Sequence, residues 1–118
     1  MKIDPVRNFA LSLEGVAEEP HHHYSSFRVR GKIFVTIRPD EQFIHVFVEE
    51  EDRELALAVY PDFTEKLRWG GKVLGLRVAL HSAKPKAVKA LVAKAYETRV
   101  RKDAGPRASR AAKRAPKP

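Results

Sequence analysis

The sequence predicts a single small α+β domain, residues 1–101, followed by a disordered Lys/Arg/Ala/Pro tail, residues 102–118. Three observations carry that expectation. Apolar residues recur at helical spacing near both ends of the domain. Between those ends the spacing falls to two, as in half-buried strands. Beyond Lys102 no large apolar residue remains, so the chain there has nothing to bury against the entropy of ordering it. With 118 residues in all, one domain is what the length accommodates.

Taken in order, Asp4-Pro5 opens a helix, with Asp4 as the cap and Pro5 where a missing N–H costs nothing. Val6, Phe9, Ala10 and Leu13 share one face, and Gly15 ends the helix. Glu18 to Ser26 reads as a polar loop. Phe27 and Val29 then alternate with Arg28 and Arg30, and after Gly31 the residues Ile33, Val35 and Ile37 alternate with Phe34, Thr36 and Arg38. That is a hairpin turning at Arg30-Gly31. Pro39-Asp40 turns the chain into a third strand, Phe43 to Val48, apolar on both faces except at His45 and so expected to be central.

Glu49-Glu50-Glu51-Asp52 places acids at a helix start, where the macrodipole favours them. Leu55, Ala58 and Val59 are the expected buried stripe of this helix, and Pro61 stops it. Phe63, Leu67 and Trp69 alternate with Thr64, Lys66 and Arg68. Gly70-Gly71 makes a second tight turn. The return strand sets Leu74, Leu76, Val78 and Leu80 on one face, with Lys72, Gly75 and Arg77 apart from them. The last helix begins near Pro85 and buries Val88, Leu91, Val92, Ala95 and Tyr96.

Composition narrows the function. The chain has no cysteine, which removes disulfides and thiolate metal sites and fits a reducing cytoplasm. No apolar run of signal-peptide or membrane-spanning length is present, so a cytoplasmic protein is expected, nucleoid-associated if it binds DNA. None of the serines lies in a nucleophile elbow, and no phosphate-binding glycine loop occurs. The expectation is therefore a protein that is not an enzyme and uses no cofactor. His21-His22-His23 suggests weak adventitious metal binding rather than a functional metal site, because adjacent histidines do not readily turn to one ion. His45 is expected as a hydrogen-bonded sheet residue.

Charge is the informative signal. Residues 84–118 hold 12 Lys/Arg against 2 acids, whereas the first 83 residues hold 11 against 13. Such asymmetry points to a polyanion-binding end. Within the domain, Arg28, Arg30 and Lys32 surround the first glycine turn, and Lys66, Arg68 and Lys72 the second, with Arg77 further along. Cations at this spacing suit phosphate rows, and Trp69 beside its turn suits stacking on a base or packing on the sheet. The tail adds Arg107, Arg110, Lys113 and Arg114, whose contribution would be counterion release without sequence preference.

The run Ser26-Phe-Arg-Val-Arg-Gly-Lys-Ile-Phe-Val35, the Leu-x-Gly-Val-x-Glu stretch from Leu13 to Glu18, Tyr60-Pro61 and Trp69-Gly70 resemble the MmcQ/YjbR-like bacterial proteins across about residues 5–100. The sequence departs from that pattern around Val73 to Leu76, where relatives often carry a second tryptophan. The resemblance implies an α+β, CyaY/frataxin-like fold: N- and C-terminal helices on one face of an antiparallel β-sheet. It also implies the "double wing" description under which the family is called DNA-binding, the two hairpins being the wings. The expected function is DNA binding of low sequence specificity, with RNA as the other candidate nucleic acid and a monomer as the expected state. A protein-interaction adaptor, or a small-molecule or metal-binding domain using His21–His23, stands as the alternative.

Overall fold

The computed structural model describes the backbone of residues 1–113 and the side chains of residues 1–102. The expected disordered tail, residues 102–118, falls almost wholly outside the described side chains. In chain order the elements are α1 (Ile3–Ser12), β1 (Val16–His21), β2 (Tyr24–Val29), β3 (Lys32–Ile37), β4 (Phe43–Val46), α2 (Glu50–Val59), β5 (Thr64–Trp69), β6 (Lys72–Ala79) and α3 (Pro85–Lys113). A 3-10 turn at Leu80–Ser82 links β6 to α3.

The strands form one antiparallel sheet in the order β1-β2-β3-β4-β6-β5, with β4 in the interior as its two-sided apolar pattern requires. One face of the sheet buries Phe27, Val35, Ile37, Ile44, Val46, Leu76 and Val78 against Val6 and Ala10 of α1 and Val88, Val92 and Ala95 of α3. Each fully buried side chain of this size contributes about 1.5–3 kcal/mol over exposure. Helices α1 and α3 cover β1 to β4, and α2 covers β5 and β6 on the same side. Among the described residues no helix lies over the opposite face.

Three sequence expectations need correction. Asp4 is not the cap of α1: Lys2 holds that position without a side-chain bond, and Asp4 sits in the first turn. The expected loop from Glu18 to Ser26 is β1, a two-residue turn at His22-His23, and the start of β2. β1 escapes detection because it is an edge strand with Glu18, Glu19 and Pro20 in place of an apolar alternation, residues that shield an edge from unwanted pairing. It is held from α1 by Arg7, whose Nε and Nη2 donate to Glu18 at 2.8 and 3.1 Å. Burial pushes the Glu18 carboxyl up, but the hydrogen bonds from Arg7 and Ser25 outweigh it and leave it below its ordinary value.

The third correction concerns α2. Leu55 and Val59 are 61% and 55% exposed, and the buried residue is Ala56. The inward stripe lies one position on from the expected one because α2 seats its small face on β5. Thr64 Oγ1 there donates to the Tyr60 carbonyl at 2.7 Å.

The two glycine turns are built alike. Arg30 and Gly31 have φ of 54° and 76°, and Gly70 and Gly71 have 55° and 86°, the paired positive angles of a type I′ turn. The pairs Phe27↔Val35, Arg28↔Ile33 and Val29↔Lys32 recur 40 residues on as Leu67↔Gly75, Arg68↔Val73 and Trp69↔Lys72. Each hairpin carries a bulge at the same place, with Phe34 or Leu74 as the extra residue. Registers Ile37↔Ile44↔Val78 and Val35↔Val46↔Leu76 then show that both turns project from the same end of the sheet.

β4 stops short between them, and its exit presses on β6. A Cβ at Gly75 would collide with the Val46 carbonyl oxygen and lie 3.1 Å from Phe47 Cα. Gly75→Ala should therefore cost about 3 kcal/mol, because backbone must move. Gly31→Ala, in open space but at φ 76°, should cost only about 1–2 kcal/mol. Denaturant unfolding of the two variants checks this order; equal losses would remove the close approach from the account.

Candidate nucleic-acid interface

Cross-strand partners in a sheet share a face, so the ladder fixes where each predicted cation points. The chain of partners Glu19, Ser26, Thr36, His45, Arg77 and Glu65 defines the open face. Arg28 lies on that face, its Nε donating to Ser26 Oγ at 3.0 Å and its Nη2 to the Pro20 carbonyl at 3.1 Å. Lys72, the partner of Trp69, and Arg77 lie there too. Lys66 pairs with Leu76 and so faces the helices, as do Arg68 two residues on and Lys32 opposite Val29. Arg30 occupies the turn itself.

Within each hairpin the first strand keeps its cations opposite its apolar residues, but the two hairpins are turned over relative to one another: Arg28 is on the open face, and Lys66 and Arg68 are on the other. Equivalent positions in the two hairpins point oppositely: Phe27 is buried under the helices while Leu67 faces outward. What the cations share is an end of the molecule. Lys32, Arg68 and Lys72 are exposed around the two turns.

A third basic segment joins them there. Thr98, Arg99 and Lys102 of α3 line a hollow of about 250 Å³ with Phe47, Val48, Glu49 and Leu74. Glu49 is paired with Arg101 and, at 3.8 Å, with Lys102. Thr98 Oγ1 is buried in this region without a hydrogen-bond partner among the described residues. Arg107, Arg110, Lys113 and Arg114 lie outside the residues whose side chains are described.

The open face holds a second constellation. Arg38 and Arg77 both stack on the Phe43 ring, with guanidinium carbons 4.7 and 4.4 Å from its centroid. Arg77 Nε is buried without a hydrogen-bond partner among the described residues. Beside it, His45 is half-buried with its ring 5.8 Å from that of Tyr24. Burial, reinforced by the charges of Arg77 and Arg38, pushes the His45 imidazole down to about 4.

A cleft of about 280 Å³ runs across this face, lined by His21, His22, Tyr24, Thr36, His45, Phe47, Leu67, Trp69 and Leu74. Trp69 at its rim is 77% exposed and Leu74 is 43% exposed. Strict alternation groups Leu74 with buried Leu76; the bulge beside it breaks that parity and frees Leu74 to line the open side. The His21-His22-His23 run forms the β1–β2 turn, with His22 at φ 59°. Among the described residues no cluster of His, Asp or Glu is arranged to hold a metal ion. No helix among them is long and apolar enough to cross a membrane.

The sequence model of the YjbR family matches residues 11–98. The crystal structure of Deinococcus radiodurans protein DR2400, which carries the domain DUF419, is similar with a TM-score of 0.76 at 15% identity, covering 92% of this chain and 86% of that one. At that identity the likeness establishes the fold. No curated protein matches this chain.

His45 gives this face a pH signature. Its folded value lies below the ordinary 6.5, so the unfolded chain binds more protons between about 4 and 6.5. Stability is then complete above 6.5 and falls as pH drops through that window. Allowing for solvent screening at a half-buried site, the loss should be about 1–2 kcal/mol. In His45→Gln, urea midpoints measured from pH 7 to 4 should fall less steeply than in the parent; identical slopes would remove His45 from the acid response.

Proposed function

Since the chain belongs to the YjbR family, we propose that it is a DNA-binding protein of low sequence specificity that engages phosphates with the end of the sheet bearing both glycine-turned hairpins. One observation carries this reading: cations from three separate segments, β2–β3, β5–β6 and the end of α3, converge at the end where β4 stops short. The distribution of charge over both sides of each ribbon supports it. A two-stranded ribbon entering a groove has a phosphate row on either flank, and cations on both flanks meet both rows.

Low specificity is read from the placement of the charge: Lys32, Arg68 and Lys72 are exposed cations around the two turns, and their attraction to backbone phosphate carries no sequence information. The acidic first turn of α2, Glu50 to Asp52, tempers the attraction, so the tail would raise affinity. The role is one of binding, with no catalytic group and no cofactor assigned.

Fluorescence anisotropy of the full chain with a labelled duplex, from 50 to 200 mM salt, tests the reading. Lys32→Glu, Arg68→Glu and Lys72→Glu together should abolish most binding at 100 mM salt. Single Lys→Ala changes at 32 and 72 should each flatten the plot of log K against log salt by about 0.9. If the triple variant binds as well as the parent while neutralising Arg107, Arg110, Lys113 and Arg114 eliminates binding, the folded domain is not the DNA-binding part and the proposal fails.

A further inference from the structure

The cleft on the open face is chemically unlike the cationic end. Leu67, Leu74 and Phe47 give it an apolar floor, Trp69 stands exposed at the rim, and Tyr24, Thr36 and His45 supply polar groups within it. Large apolar side chains left open to water beside a few converging polar groups mark a binding surface. At about 280 Å³ the cleft lies near the lower limit of the roughly 300–1,000 Å³ of small-molecule sites, which suits one planar ring system.

We propose that this cleft takes one unpaired nucleobase of a single-stranded segment, stacked on Trp69 and read along its edge by Tyr24, Thr36 and His45. The inference rests on the nucleic-acid reading above and adds a preference for unpaired over paired DNA. A tryptophan face is the best stacking platform for a base and is indifferent to which base it is. His45, kept neutral by burial and by the two arginines, has one nitrogen that donates and one that accepts. An imidazolium would only donate, whereas the edge of a neutral base presents both kinds of group.

The surrounding charge fits a strand rather than an apolar partner. Lys72 is the cross-strand neighbour of Trp69, and Arg28 and Arg77 share the same face. A base seated on Trp69 therefore has its phosphates beside Lys72, and the strand continues toward the exposed turn at Gly70-Gly71. A base within a duplex cannot reach this seat, because its faces are already covered by its neighbours.

Trp69 is the chain's only tryptophan, so its emission reports this cleft alone. The full chain is titrated with a thymidine oligomer, with a duplex of equal length and with thymidine monophosphate, following both fluorescence and the anisotropy of labelled strands. The expected result is saturable quenching by the oligomer, with little by the duplex. Trp69→Ala should weaken oligomer binding about tenfold and leave duplex binding unchanged, and Trp69→Phe should restore most of the loss. Binding of both DNAs without quenching, or with Trp69→Ala as tight as the parent, would overturn the base seat while leaving the DNA-binding reading intact. Failure to bind either DNA would overturn both. Quenching by the monophosphate at the concentrations effective for the oligomer would overturn the strand assignment in favour of free nucleotides. A concentration-dependent blue shift without DNA, showing Trp69 covered by a second copy, would also overturn it.

Discussion

The contact between the exit of β4 and Gly75 organises the cationic end of this molecule. β4 has four residues, whereas the hairpins on either side of it reach beyond its last pair, Val46↔Leu76. At that point the chain turns away, with the Phe47 amide still donating to the Phe34 carbonyl at 3.1 Å. Only a residue without a Cβ leaves room for the Val46–Phe47 backbone against β6. Because the central strand ends early, the two hairpins stand apart as separate projections. A longer β4 would pair with both and weld them into a flat sheet edge.

The bulges act on the same region. In the first hairpin the extra residue is Phe34, fully buried and edge-on to Tyr96 of α3 with ring centroids 5.7 Å apart. In the second it is Leu74, which is left half-open beside the cleft. One backbone device thus anchors one wing to the core and furnishes the other with an outward apolar residue. The difference arises because equivalent positions in the two hairpins face opposite sides of the sheet.

This explains which features were legible in the sequence. The hairpins themselves were, since Gly31 and Gly70-Gly71 interrupt clear period-two patterns, and so were the central β4 and the stripe of α3. β1 was not, because an edge strand tied down by the Arg7–Glu18 pair needs no apolar alternation. The stripe of α2 lies one residue on from the one the pattern predicts, because Ala56 carries almost no hydrophobic signal of its own. The cations at both turns are legible in the sequence, but the opposite facing of the two hairpins is not. That facing depends on which strand neighbours which, and the β3-β4-β6 adjacency is a long-range property. The cleft was invisible for the same reason: Tyr24, His45 and Trp69 come from distant parts of the chain and meet only across the ladder.

The two surfaces differ in what they demand of a ligand. The cationic end offers charges on exposed side chains, which gives attraction that falls with salt and reads no sequence. The open face offers stacking and a neutral imidazole, interactions that depend on shape and are little screened. Trp69 and Lys72 are cross-strand partners at the junction of these surfaces, so one hairpin belongs to both. The exposed charges of the wing end therefore lie directly beside the apolar lining of the cleft. The juxtaposition of an exposed cation and an exposed aromatic ring at this junction is a consequence of leaving one sheet face uncovered. Had a helix closed that face, as α1, α2 and α3 close the other, the cations of the turns would remain exposed but Trp69 and Leu74 would not.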